Sequence, residues 1–358
     1  MPLKKTLGRI AGLLLVLFAG TGLLNLLLGV FFTAWNRNRN HLGTDYVDAP
    51  YVYYKKAGSA SGFEIPDSVS LQKDTGEYRI LLLGGSVAYG LATTIAENGT
   101  SLLQQLLQEK LQIPRLRVLN GALPAYVSTQ ELLALQLQLR RYQPDYVVAL
   151  HGYNDVESFR VNHHVDDSHF LPSPIFYAGD EFSPALQAVQ SYKKTYTLQG
   201  VWEAHTRYIR KSVHFILRSF GFKRYTYENY SGVTPATLER YTNAYLQNIK
   251  DMKQFCDVNQ IRYTDLLQPA RFYRQGDSTY HRAGANDTAP ELLAQLYYRM
   301  EAGSRNLSGH ISLTHLDAGK LQFTDVCHPS AAGYRYLAQA ITEIVAQQRQ
   351  ATTLGQGY

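Results

Sequence analysis

The feature that most constrains this chain is a repeated unit, in which a short run apolar at every position stops at a turn and gives way to helical spacing. It first appears in "RILLLGGSVAYG", residues 79–90, where Ile80–Leu83 ends abruptly in Gly84-Gly85-Ser86. Continuous apolarity is the pattern of a strand buried on both faces. Leu102, Leu103, Leu106, Leu107 and Leu111 then recur at helical spacing. "LRVLN" (116–120) is a second strand, followed by a helix "ELLALQLQLRRY" that Ser128 and Glu131 would open as a capping box. "DYVVAL" (145–150) and "IRYTDLL" (261–267) are further strands, with helices near 237–258, near 290–302 and after Ser330. Strands alternating with helices predict βαβ units, hence an α/β fold with a mainly parallel sheet covered on both faces.

Two segments depart from that rhythm. Residues 10–32, "IAGLLLVLFAGTGLLNLLLGVFF", carry no charge, and Asn25 is their only strongly polar residue. As a helix they would span roughly 35 Å, against about 30 Å for a bilayer core. A cleaved signal peptide usually has a shorter apolar region and a small-residue cleavage site. This run ends "FFTAWN", so an uncleaved transmembrane anchor is the better expectation. The charge on its two flanks weakly favours a body outside the cytoplasm. Between 157 and 235 the regular pattern lapses in a stretch too long for an ordinary loop. It is expected to be an inserted cap over the edge of the sheet where open α/β folds bind ligands. The expected organisation is therefore a cytoplasmic tail (1–9), an anchor (10–32), a linker packing on the domain (33–78), one catalytic-size domain (79–350) containing that insert, and a tail (351–358).

Charge excludes one class of partner. The net charge is +6, but Lys4, Lys5, Arg9, Arg37 and Arg39 all precede the first acidic residue, Asp45. The remaining chain has 30 basic and 29 acidic residues, with no basic cluster of the kind nucleic acid needs. Two cysteines, Cys256 and Cys327, are too few for a disulfide framework and are expected as separate thiols. The "HHVDDSH" of residues 163–169 matches no metal-ligand spacing and is expected to be a polar surface loop. "VWEAHTRYIRKSVHFILRSFGF" (201–222) has the look of a basic amphipathic helix, packed on its own domain or lying on the membrane. No cofactor or metal is expected.

The Gly84-Gly85-Ser86 turn fails as a dinucleotide fingerprint, because Ser86 stands where the second glycine belongs. It also fails as a phosphate loop, because Leu91 and Ala92 occupy the Lys-Ser/Thr positions. A third reading makes Ser86 a nucleophile at a strand end, with the N–H groups of the following helix beside it. Such a serine needs a base and an orienting acid. Asp325 and His328, in "FTDVCHPSAAGY", lie three apart before the last helix and suit that pair. The "LNGALPAYVS" turn (119–128) can present a backbone N–H, and Asn154 in "LHGYND" (150–155) a side-chain amide. In a parallel sheet these turns meet at one edge.

The order of Gly84-Gly85-Ser86, Gly152-Tyr153-Asn154-Asp155 and Asp325-Val326-Cys327-His328 resembles the SGNH, or GDSL-type, hydrolase family over about residues 79–348. The resemblance implies a flavodoxin-like three-layer sandwich and a serine esterase. It makes Ser86 the nucleophile, His328 the base and Asp325 its partner. The oxyanion donors would be the Ser86 N–H, the N–H of Gly121 or Ala122, and the Asn154 amide. Gly85 departs from the family's usual Asp. In the second block, Asn120, Pro124 and Tyr126 set a register that puts Ala122 at the family's glycine. The expected substrate is an ester, above all an acetylated glycan of the cell envelope. Transfer of the acyl group to a polysaccharide, hydrolysis of a lipid ester and a non-enzymatic binding role on the same scaffold are the alternatives.

Overall fold

The computed structural model describes residues 12–13, 16–31, 46–49, 51–92, 102–162, 205–206, 209, 212–213, 233–276 and 291–355. The chain divides into two compact units, one of residues 1–47 and 175–227, the other of residues 48–174 and 228–358.

The larger unit is built on the apolar runs. Strand β1 (Tyr46–Ala49), whose sequence spans the boundary at residues 47 and 48, and strand β2 (Tyr53–Lys56) make a two-stranded ribbon. The central sheet contains β3 (Tyr78–Gly84), β4 (Leu116–Asn120), β5 (Tyr146–His151), β6 (Arg262–Leu267) and β7 (His310–Ser312). Its order is β4-β3-β5-β6-β7, and every neighbouring pair is parallel. Counted from β3 this is the 2-1-3-4-5 order of flavodoxin-like sheets, whose ligand crevice lies where the winding reverses, between the ends of β3 and β5. Ile80–Leu83 are fully buried, as a strand covered on both faces requires.

Helices α2 (Ser86–Ala92), α3 (Leu102–Leu111) and α9 (Ala331–Gly355) cover one face, packing Leu103, Leu107, Leu337 and Ile341 against Ile80, Leu82 and Val148. Helices α4 (Ser128–Leu137), α5 (Tyr153–Asn162), α6 (Pro235–Val258) and α7 (Glu291–Ser304) belong to the other layer, where Phe159, Tyr245, Ile249 and Tyr297 form the core. A short α8 (Ala318–Leu321) precedes the final loop. Cys256 and Cys327 are both free and buried. The helix α9 runs to Gly355, beyond the tail expected from residue 351.

The expected capping box of α4 is not made by Ser128 and Glu131. Val127 stands at the N-cap, and the Gln130 side chain accepts its N–H at 3.1 Å. Ser128 and Glu131 lie inside the first turn and are drawn into buried contacts instead: Ser128 Oγ donates to Asp155 and Glu131 meets His151. Within the segment expected as a linker, 33–78, residues 51–69 bury Val52, Tyr54, Phe63 and Ile65. Its Val52 carbonyl accepts from Gln130 Nε2 at 2.7 Å, and Tyr54 hydrogen-bonds the Pro124 carbonyl.

In the smaller unit, residues 16–31 form helix α1, a part of the uncharged run. Among the described residues no helix is long and apolar enough to cross a membrane. The polar interruptions of α1 have partners within this unit. His205 stacks on Phe18 with ring centroids 3.8 Å apart, and its Nε2 lies 2.8 Å from Thr21 Oγ1. The Ile209 N–H donates to Asn25 Oδ1 at 3.3 Å. The "HHVDDSH" segment, most of the insert and most of the 201–222 helix lie outside the described residues.

Candidate active site

Ser86 stands one residue beyond the end of β3 and opens α2, which leaves it half-buried at the carboxyl end of the sheet. The turn that carries it depends on Gly84. That residue has φ +143°, and a Cβ there would sit 2.2 Å from the Leu150 carbonyl oxygen of β5. The two central strands can therefore close together just before the serine, bringing the ends of β3 and β5 side by side.

His328 comes from the loop before α9, 242 positions away in sequence, yet its Nε2 lies 2.6 Å from Ser86 Oγ. Its other nitrogen, Nδ1, is 2.7 Å from Asp325 Oδ2. The second carboxylate oxygen, Oδ1, accepts the N–H groups of Cys327 at 2.9 Å and His328 at 2.8 Å. One short turn thus fixes the acid against both the imidazole and the backbone that carries it. Partial burial works against the Asp325 charge, but these hydrogen bonds prevail and bring its pKa down to about 2. An ionised carboxylate at Nδ1 favours the tautomer with the proton on that nitrogen, the arrangement in which Nε2 can accept from a serine hydroxyl.

Asn154 lies in the first turn of α5, just beyond β5, with one amide N–H donated to the Tyr126 carbonyl at 2.8 Å. An amide nitrogen carries two N–H groups, so the second is left for another acceptor. The turn after β4 supplies its backbone differently from the sequence expectation. The Gly121 N–H donates to the Leu82 carbonyl at 2.9 Å, continuing the ladder, and the Ala122 N–H donates to Asn120 Oδ1 at 3.1 Å. Both are buried and already used, which corrects the choice of either as an oxyanion donor. Ala125 has the unusual backbone instead, with φ +62°, and its N–H has no hydrogen-bond partner among the described residues. A left-handed conformation is where a family would place a glycine. Alanine gives no sequence signal of that conformation, so the residue spacing did not single out Ala125. The neighbouring Tyr126 is locked by its hydroxyl, which donates to the Tyr54 carbonyl at 2.5 Å.

Behind this edge lies a buried polar network that residue spacing did not reveal. His151, the last residue of β5, places Nδ1 2.8 Å from Glu131 and Nε2 2.5 Å from Asp265, and Asp265 also meets His310. Asp155 accepts the backbone N–H of Ser128 at 3.1 Å and its hydroxyl at 2.5 Å. Burial raises the Glu131 pKa to about 7. Burial alone would lower His151, but the two carboxylates on its ring hold it well above the usual range. Asp265 is likewise opposed by burial yet held well below its ordinary value by His151. These groups brace the Gly152–Asp155 turn that presents Asn154.

A parallel α/β sheet with a serine, an imidazole and a carboxylate in hydrogen-bonded sequence at its switch point is the constellation of a hydrolase that works through a serine hydroxyl. The model of the GDSL-like lipase/acylhydrolase family matches residues 82–336, most of the chain, and the chain belongs to that family. It is accordingly an ester-hydrolysing enzyme. No curated protein sequence matches the chain. Similar solved structures include a GDSL-like lipase from Bacteroides thetaiotaomicron, at 12% identity over 78% of this chain and 92% of that one, with a TM-score of 0.38. A lipase/acylhydrolase from Enterococcus faecalis is 15% identical over 76% of this chain and 97% of that one, with a TM-score of 0.39. A mutant acetyl-xylooligosaccharide esterase from Geobacillus is 14% identical over 75% and 94%, also with a TM-score of 0.39.

Proposed function

We propose that the chain is a membrane-anchored serine esterase that removes small acyl groups, above all acetyl, from glycans of the cell envelope. The observation that carries the serine mechanism is the unbroken Ser86–His328–Asp325 hydrogen-bond chain, at 2.6 and 2.7 Å. Ser86 Oγ attacks the ester carbonyl as its proton passes to His328 Nε2, and Asp325 stabilises the imidazolium that forms. The oxygen that gains charge accepts from the Asn154 amide, the Ser86 N–H and the Ala125 N–H. His328 then gives its proton to the leaving alcohol, and water releases the acyl group from Ser86 by the reverse sequence.

The exposure of the catalytic side chains among the described residues supports a small acyl group on a large hydrated carrier. The side chains of His328 and Asp325 are 35% and 51% exposed. A long fatty chain gains its affinity by burial, at about 0.8 kcal/mol for each CH2 removed from water, and needs an enclosed apolar channel. Anchoring is supported by the uncharged run of residues 10–32 and by the outward leucines of α1: Leu17, Leu23, Leu24, Leu26 and Leu27 are all roughly half or more exposed. The excess of cations before the run, Lys4, Lys5 and Arg9 against Arg37 and Arg39 after it, supports a span with the catalytic unit outside the cytoplasm.

The test is acetate release from chemically acetylated glycans by the wild-type chain and by Ser86→Ala. Release that disappears in Ser86→Ala is expected. Transfer to an added sugar without net release would move the reading to an acyltransferase, and unchanged activity in Ser86→Ala would overturn the serine mechanism.

A further inference from the structure

We propose that Gly85 is a positioning residue: the side chain it lacks is the seat of the Asn154 carboxamide, so residue 85 sets where that donor stands. This inference rests on the reading of Ser86 as nucleophile and Asn154 as an oxyanion donor. A Cβ on residue 85 would lie 2.0 Å from Asn154 Nδ2 and 3.2 Å from Asn154 Cγ. The next nearest atom, the Tyr126 carbonyl oxygen, would be at 3.6 Å, an ordinary contact. The amide is therefore what a side chain at 85 would displace.

The backbone gives no other reason for glycine. Gly84 needs its φ of +143°, whereas Gly85 is absent from the residues with positive φ. Space, rather than conformational freedom, is what Gly85 provides. Above it the Asn154 amide reaches from the end of β5 to the Tyr126 carbonyl, in the turn after β4. Gly84 pairs with Leu150 in register, so residue 85 leaves β3 beside the end of β5, from which the chain turns into α5 and Asn154. Three strand ends are thereby joined over one missing methyl group.

The atom displaced is the tip of a rotatable side chain, so a Cβ at 85 turns the amide away without moving backbone. Gly85→Ala should fold normally yet lose the oriented N–H. The same reasoning applies to Gly85→Asp, although it restores the residue usual in the family. In this chain the aspartate would claim the volume that the Asn154 amide occupies.

The experiment is a double-mutant cycle with p-nitrophenyl acetate, comparing wild type, Gly85→Ala, Asn154→Ala and the double variant in the full chain, with thermal unfolding followed alongside. Removing an oxyanion donor lowers kcat by about 10²–10³-fold, and that is expected for Asn154→Ala. Gly85→Ala should approach the same loss in kcat with KM little changed and its unfolding temperature retained. Added to Asn154→Ala it should cause no further loss. Gly85→Ala with wild-type kcat, or with the same loss in both backgrounds, would overturn the proposal. If Asn154→Ala itself keeps wild-type kcat, the oxyanion reading fails first and the proposal falls with it.

Discussion

Three residues make the difference between a glycine turn and a candidate active site here. Ser86 was legible because the two glycines before it mark a strand end. His328 and Asp325 were legible because a three-residue spacing lets one carboxylate reach the neighbouring imidazole. The second backbone donor proposed for the oxyanion was not legible. Ala125 holds φ +62°, a conformation that alanine does not advertise, while Gly121 and Ala122 spend their N–H groups on Leu82 and Asn120. A left-handed backbone costs a residue with a Cβ roughly 1–2 kcal/mol. Ala125→Gly is therefore expected to leave kcat unchanged and stability equal or higher. Ala125→Val, β-branched in the same conformation, should lower the unfolding temperature. Loss of kcat in a folded Ala125→Gly variant would contradict that assignment.

At the scale of elements, the strands buried on both faces were read from four apolar runs, because continuous apolarity leaves few alternatives. The elements that escaped were those without such a run. The strand β7 is only three residues, His310–Ser312, and α5 falls partly in the stretch read as irregular. The polar network behind the site escaped for a different reason. Glu131, His151, Asp265 and His310 come from four elements and have no common spacing. Its titration has a direction. Folded Glu131 keeps its proton to about pH 7, but the unfolded chain loses it near the ordinary carboxylate value of 4.5. Between those values the folded state binds more protons, so stability falls as pH rises. His151, raised above its ordinary value, adds a fall in the same sense from about neutrality upward. Asp265, held low, acts oppositely and only in strong acid. Unfolding temperatures measured across pH should show this decline, and Glu131→Gln should flatten it between about pH 4.5 and 7. An identical decline in Glu131→Gln would show that Glu131 does not titrate in this way.

For the whole molecule, the family and the ester chemistry rest on the catalytic unit, whereas the proposed anchoring rests on residues 10–32. The anchor proposed for residues 10–32 rests on the length of that run and its lack of charge, and Asn25, its polar exception, accepts a hydrogen bond from Ile209 in the same unit. The full chain is expected to stay with the membrane fraction after washing with high salt and alkaline carbonate. Quantitative release by either wash would contradict an anchor. The residues between the strand-end turns explain why the fold was easier to read than the substrate. Apolar runs specify strands locally, but the insert of 157–235 carries no comparable pattern.

The central claim is that Ser86 is a nucleophile activated by His328 and Asp325, and covalent labelling with a fluorophosphonate probe tests it most directly. Folded wild-type chain should be labelled at Ser86, with labelling abolished in Ser86→Ala and much slowed in His328→Ala. Absence of labelling in folded wild type, or equal labelling of Ser86→Ala, would contradict it.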